Sequence, residues 1–397
     1  MGMFIPPVGD TEVWARFGGQ KTSLPAMRDY AAKMRQSGFY VLSYFNVTEF
    51  GARVTWPLPA RKAQRDEDLW KDCHDFLGVK LQSAIVRIPD RVPLKALAGS
   101  IYPRCRPGGC YFTWEDGIVL DCSDPAYRDF LLGQARRHID ELPKSSGICI
   151  DRMDWLRLYN ESADDGESWF EGRPARSLLD SWNDLMARLG PLMHQAGKVV
   201  FVNNHNKRID LLRHVDGIFD EFTYTGAPLN LTALLTLRKP ALGWTDNEGA
   251  LKPDPNAFFQ RYLHMGVYPM APFPGNDHSM RPSAWVDRQY LDYGPLLSAM
   301  RGKKWVLEPH CVETVTPGVK VNLFEVPGGY ALPVTLAGQT QSATVSLRNI
   351  PGLDRLRCEA LHPGQDAPAA VTATFKDGSL TLEVPLERGC AMVLFRK

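Results

Sequence analysis

Gly147-Ile148-Cys149-Ile150-Asp151 is a compact apolar run that stops on a carboxylate. Downstream, Ser177 with Asp180 resembles a capping box ahead of Leu178, Trp182, Leu185, Met186 and Leu189, whose spacing is that of one buried helical face, and Gly197 closes the segment. A second apolar run, Val199-Val200-Phe201-Val202, follows at once and stops on Asn203-Asn204-His205. Strand, amphipathic helix and strand in that order form a βα unit, whose strands lie parallel in one sheet.

Working outward, the same rhythm repeats. Ser23-Leu24-Pro25 opens a helix carrying Met27, Ala31 and Met34, and Gly38 ends it. Asp124-Pro125 opens another with Tyr127, Phe130 and Leu131, and Asp254-Pro255 a third with Phe258, Phe259, Tyr262 and Leu263 that stops at Gly266. The remaining strand candidates are Tyr40–Phe45, either Ala84–Ile88 or Gly117–Leu120, Gly217–Phe219, Ala241–Trp244 and Val267–Met270, with an opening strand near Met3–Pro6 or Glu12–Phe17. The count comes to about eight, which fits a closed α/β (β/α)8 TIM barrel. A doubly wound sheet calls for a glycine-rich phosphate loop after its first strand, and no G-x-G-x-x-G is present.

From about Thr314 the period changes to two. Val321–Val326, Ala331–Leu336, Ala343–Leu347, Val371–Phe375, Leu380–Leu386 and Ala391–Phe395 read as short strands, with turns at Pro327-Gly328-Gly329 and Asp377-Gly378. The expected organisation is therefore a barrel over residues 1–313 and a C-terminal antiparallel β-sandwich over 314–397. A length of 397 residues accommodates both, since a barrel takes roughly 250.

Charge narrows the function classes. Forty-six Lys and Arg against 45 Asp and Glu give a formal net charge of +1, with no basic run to neutralise a row of phosphates, so nucleic acid is not expected as a partner. No stretch approaches the ~18–20 consecutive apolar residues that span a bilayer, so no membrane is expected either, and Met1-Gly2-Met3-Phe4 lacks the charged-then-apolar order of a signal peptide. Cytoplasmic and exported locations both stay open. The eight cysteines offer no C-x-x-C and no histidines at zinc-finger spacing, so no structural zinc is expected. Cys149 reads as a buried thiol, while Cys105 and Cys110 are a candidate pair in an oxidising compartment. Ten Trp lean toward flat apolar faces for sugars.

In parallel barrels the working residues stand at the C-terminal ends of strands. Counted in order, Asp151 ends the fourth strand, Asn203 the fifth and Asp220-Glu221 the sixth. Carboxylates on the fourth and sixth strands face one another across a barrel mouth. Glycoside cleavage needs that pair: one carboxylic acid protonates the leaving oxygen while the other carboxylate attacks or stabilises the oxocarbenium-like centre.

The segment Gly117-Ile118-Val119-Leu120-Asp121 with Asp124-Pro125, then Gly147–Asp151, then Val215-Asp216-Gly217-Ile218-Phe219-Asp220-Glu221, resembles retaining glycoside hydrolases of the α-galactosidase, α-glucosidase and dextranase kind. The resemblance implies a (β/α)8 barrel followed by a β-sandwich, and retaining, α-directed cleavage of an oligo- or polysaccharide. By position it makes Asp151 the nucleophile. The acid/base is Glu221 on the dextranase pattern and Asp220 on the α-galactosidase pattern. This sequence departs from those families in doubling the acids, Asp151 with Asp154 and Asp220 with Glu221. Asp220 and Glu221 point to opposite faces if their strand continues.

Other strand ends supply groups suited to a sugar: Tyr44, Asn46 and Glu49; Arg152, Asp154 and Trp155; Asn203 and His205; Tyr224; Trp244; and Asp277 with His278 in a Gly/Pro loop. Asp154 reads first as a helix cap or a partner for Arg, and each Trp alone as core. No cofactor and no metal is called for. The rival readings are a metal-dependent barrel hydrolase using Asp151, Asp154, His205, Asp220 and Glu221, and a barrel that holds carbohydrate without cleaving it.

Overall fold

The structure is a computed structural model, and it describes residues 13–15, 21–51, 53–92, 104–113, 116–151, 153–203, 208–220, 226–243, 248–272, 280–336 and 340–396. The chain divides into two compact units, Met1–Asp216 and Gly217–Lys397.

The first unit runs β1 (Val13–Ala15), β2 (Lys21–Ser23), α1 (Leu24–Gln36), β3 (Leu42–Asn46), β4 (Glu49–Phe50), α2 (Cys73–Lys80), β5 (Ile118–Val119), α3 (Pro125–Glu141), β6 (Gly147–Asp151), β7 (Tyr159–Asn160), β8 (Ser168–Phe170), β9 (Arg173–Ser177), α4 (Leu178–Gln195) and β10 (Val199–Asn203). Its centre is a parallel trio with β6 in the middle. Leu42 to Asn46 lie beside Gly147 to Asp151, and Val199 to Val202 beside Gly147 to Ile150, so the three strands end level. Glycine is required at 147 because a Cβ there would stand 1.9 Å from the Val199 carbonyl oxygen. The expected caps form, but Ser177 caps without the box read with Asp180, because its own N–H donates to Asp165 at 2.8 Å. Asp124 accepts the N–H groups of Ala126 and Tyr127 at 3.0 and 3.2 Å, and Ser177 accepts that of Leu179 at 3.3 Å. The α4 stripe of Leu178, Trp182, Leu185, Met186 and Leu189 is wholly buried.

The third parallel strand expected between β3 and β6 is formed by neither candidate. Ile118–Val119 runs antiparallel to Glu49–Phe50, Ile85 and Arg87 make only isolated antiparallel bridges, and β3 bonds directly to β6. The cause is local. The Asn46 side chain accepts the N–H groups of Thr48 and Glu49, both at 3.1 Å, and turns the chain back on itself. Asp151 therefore ends the strand next to that of Asn46, with none between.

The second unit contains β11 (Gly217–Asp220), α5 (Gly226–Leu235), β12 (Ala241–Gly243), α6 (Glu248–Leu251), α7 (Pro255–Met265), β13 (Tyr268–Pro269) and α8 (Ala284–Ala299). β11, β12 and β13 are parallel. Asp254 caps α7 by accepting the Ala257 N–H at 2.9 Å, and Gly266, at φ 63°, ends it.

Antiparallel strands follow: β14 (Lys304–Trp305), β15 (Val312–Thr314), β16 (Lys320–Val321), β17 (Phe324–Val326), β18 (Gly329–Thr335), β19 (Ser342–Arg348), β20 (Arg357–Leu361), β21 (Ala369–Ala370), β22 (Thr372–Lys376), β23 (Ser379–Pro385) and β24 (Ala391–Arg396). They form two sheets, ordered β14-β17-β18-β24-β20-β21, with β16 also on β18, and β15-β19-β23-β22. Asp377 and Gly378 both have positive φ, the type I′ hairpin that their sequence signals. One core joins the sheets through Leu332, Val334, Val345, Leu382, Val393 and Phe395. The alternate residues Phe324, Ala331, Met392 and Leu394 pack instead with Phe258, Phe259 and Tyr262 of α7 and Val286, Tyr293 and Leu296 of α8. β24 is thus apolar on both faces.

No helix of the described residues is long and apolar enough to cross a membrane. All eight cysteines are free thiols, including Cys105 and Cys110, the candidate pair. The Cys105 sulfur accepts the Phe112 N–H at 3.4 Å, and burial, with Cys105 adding, pushes the Cys110 thiol up to about 12.

Candidate active site

Three neighbouring strand ends of the first unit share one polar network. Asn46, the last residue of β3, is buried, and with its oxygen committed to the turn its amide donates to Glu49 Oε1 at 2.8 Å and to the Tyr44 hydroxyl at 3.4 Å. Tyr44, two residues earlier and so on the same face of β3, donates its phenolic proton to the Asp151 carboxylate at the end of β6. From β10, the Asn203 amide donates to Asp151 Oδ1 at 2.6 Å. Tyr44, Asn46, Glu49, Asp151 and Asn203 are the sequence candidates brought together.

The electrostatics give each a part. Burial, then the charges of Asp151 and Glu49, push the Tyr44 phenol well above its ordinary value, so it remains a proton donor at neutral pH. Asn46, Glu49 and Asn203 are almost fully covered, while Asp151 keeps partial exposure. The arrangement presents one carboxylate, oriented by donors from both flanking strands, with a face left for an incoming group. Such a carboxylate can attack an electrophilic carbon or accept a hydroxyl proton.

In the second unit Asp220 ends β11, is buried, and accepts the hydroxyl of Thr232 on α5. Asp154 and Trp155 lie in the 3-10 turn Met153–Arg157, and their side chains fall outside the description. Arg152, His205, Glu221, Tyr224, Trp244, Asp277 and His278 lie outside the described residues.

Sequence reasoning passed over Asp121 as a site residue. It is buried and accepts from the Asn160 amide at 2.9 Å and the Ser123 N–H at 3.0 Å, with the Arg176 guanidinium at 3.7 Å. The preceding Leu120 donates its N–H to the Thr48 carbonyl at 2.9 Å, which ties Asp121 to the Asn46–Glu49 turn. The signal was present, since Val119-Leu120-Asp121 is another apolar run ending on an acid. Among the described residues, Asp72, Cys73 and His74 are grouped closely enough to hold a metal ion. The His74 ring is already engaged there: Nε2 accepts the Thr55 N–H at 2.9 Å and Nδ1 faces Asp72 Oδ1 at 3.0 Å, which leaves no free nitrogen lone pair.

No protein-family model and no curated protein sequence matches the chain. Solved structures do. A cycloisomaltooligosaccharide glucanotransferase of Paenibacillus sp., complexed with cycloisomaltoheptaose, aligns with a TM-score of 0.60 at 7% identity over 96% of this chain and 77% of its own. A debranching enzyme from Nostoc punctiforme aligns at 0.55 with 9% identity over 100% and 84%, and a maltogenic α-amylase from Thermotoga neapolitana at 0.51 with 10% identity over 94% and 82%. These neighbours are glycoside hydrolases, and at such identities the likeness is one of fold.

Proposed function

We propose that this protein is a glycoside hydrolase that cleaves an α-linked oligo- or polysaccharide with retention, on a (β/α)8 barrel followed by a β-sandwich. The observation that carries the reading is Asp151, a partly exposed carboxylate at the end of a parallel strand, held by donors from Tyr44 and Asn203. The fold, shared with enzymes whose descriptions name α-amylase, debranching and glucanotransferase activity, supports a glucan as substrate.

In this reading Asp151 attacks the anomeric carbon as the glycosidic bond breaks, forming a glycosyl-enzyme ester, and Glu221 protonates the departing oxygen. Glu221 then takes a proton from water as that water opens the ester. Asp220 already serves the Thr232 hydroxyl, which favours Glu221 for the acid/base role. Tyr44 and Asn203 hold the nucleophile in line, and Asn46 with Glu49 holds Tyr44.

The test is a screen of aryl glycosides of both anomers, with product stereochemistry followed by NMR. Retention is expected. Asp151→Asn should lose at least about a thousandfold in kcat/KM. In the alanine variants azide should yield an inverted glycosyl azide at Asp151→Ala and a retained one at Glu221→Ala. Near-native turnover by Asp151→Asn defeats the assignment.

A further inference from the structure

The stretch between Asp151 and α4 contains a three-stranded antiparallel sheet, ordered β7-β9-β8, that presents an indole to water. Trp169, at the centre of β8, is 66% exposed. Its cross-strand partner is Pro174, also exposed, so the two rings share one face of the ribbon. The opposite face is anchored: Phe170 stacks on Tyr159 with ring centroids 5.6 Å apart and planes at 16°, and Ala175 is buried.

The ribbon is held in a fixed conformation. Glu171 and Gly172, both at positive φ, form its two-residue turn. The Asp165 carboxylate accepts the N–H groups of Glu167, Ser168 and Ser177 at 3.0, 2.6 and 2.8 Å. Partial burial opposes ionisation there, but the three N–H groups outweigh it and hold the carboxyl well below the usual range. Arg91 forks onto the Glu161 carboxylate and donates to the Phe170 carbonyl at 3.2 Å. Trp169 is therefore exposed on a rigid support.

One end of the face meets Asp121. Arg176, two residues beyond Pro174 and on the same side, lies 3.7 Å from Asp121, which is tied through Leu120 to the Asn46–Glu49 turn. The residue paired with Arg176 across the ribbon is Asn160, whose amide also donates to Asp121. An indole beside a proline ring, with a guanidinium further along the same side, matches a pyranose: the rings cover its C–H face and the guanidinium donates to its hydroxyls.

We propose that the Trp169–Pro174 face is a distal sugar-stacking subsite, which grips an uncleaved part of a neutral hexopyranose chain whose scissile bond is placed at Asp151. It rests on the catalytic reading of Asp151. The test compares the wild type with Trp169→Ala and Trp169→Phe by affinity electrophoresis in gels containing dextran or soluble starch, alongside KM on the same polymers and kcat/KM on a short aryl α-glucoside. Trp169→Ala should lose about tenfold in retardation and in KM on the polymer, with the aryl glucoside unaffected, and Trp169→Phe should restore most of the loss. Equal retardation of wild type and Trp169→Ala overturns the subsite, as does failure of both polymers to retard the wild type. Retardation that depends on Trp169 in a protein whose turnover is the same with and without Asp151 supports the subsite and removes the catalytic reading.

Discussion

The two units use the same element, a short parallel strand, to different ends. In the first, the strands finish on Asn46, Asp151 and Asn203, whose side chains belong to one hydrogen-bonded network. In the second they finish on Asp220, Gly243 and Pro269. Asp220 is occupied by Thr232, and a Cβ at Gly243 would come within 2.7 Å of the Tyr262 ring, which fills that space. One trio ends in polar chemistry and the other largely in packing. Substitutions at Asp151 and in the packed core of the second unit should therefore separate function from stability.

The sharpest break is Asp151→Asn, which should remove at least about a thousandfold of kcat/KM while leaving the thermal midpoint unchanged or higher, measured by calorimetry. Its counterpart is Phe259→Ala in the second unit, where Phe259 is fully buried and stacks on Tyr293 at 4.5 Å. That variant should lose about 3–5 kcal/mol of stability in denaturant titrations, with kcat per folded molecule little changed. Equal loss of activity in both would erase the contrast. Tyr44→Phe removes a hydrogen bond to a charged group, worth about 1.5–3 kcal/mol, so kcat should fall by roughly ten- to a hundredfold with KM nearly constant.

A pH dependence is present in both units. Burial, with Arg137 adding, pushes the His138 imidazole down to about 3, and burial, with Lys320 adding, pushes His264 down to about 4. In unfolded chain a histidine titrates near ~6.5. Below that value the unfolded state binds protons that the folded state refuses, so stability is full above it and falls as the pH drops toward 4 and 3. The slope should be up to about 1.4 kcal/mol per pH unit for each group. Denaturant midpoints from pH 7 to 4 for His138→Gln and His264→Gln, taken singly, should each show a flatter acid limb, and the flatter of the two identifies the unit that acid opens first.

Legibility in the sequence followed the range of the interactions. The caps at Asp124 and Asp254 and the turn at Asp377-Gly378 are decided within a few residues and appear as read, while Ser177 caps α4 with its N–H on Asp165 in place of the Asp180 of the expected box. The strands ending on Asp151, Asn203 and Asp220 were legible from apolar runs that stop on a polar group. Ile118–Val119 was legible as a strand but not in its direction, which is set by its partner Glu49–Phe50, far away in sequence. Arg357–Leu361 was missed for a similar reason: charged Arg357 and Glu359 hide a strand whose place is fixed by pairing with β24. Within the site, Asp151 and its neighbours could be named from strand ends. That Asn46 serves the turn and Tyr44 serves Asp151 depends on register between β3 and β6, which composition does not carry.

β24 takes hydrogen bonds from β18 on one side and β20 on the other, and contributes alternate side chains to two separate cores. A chain that stops at Gly389 would leave two bare sheet edges and a less covered aromatic surface around Phe258 and Tyr262. Removal of Ala391–Arg396 should therefore unfold both cores together, since the one strand closes each of them.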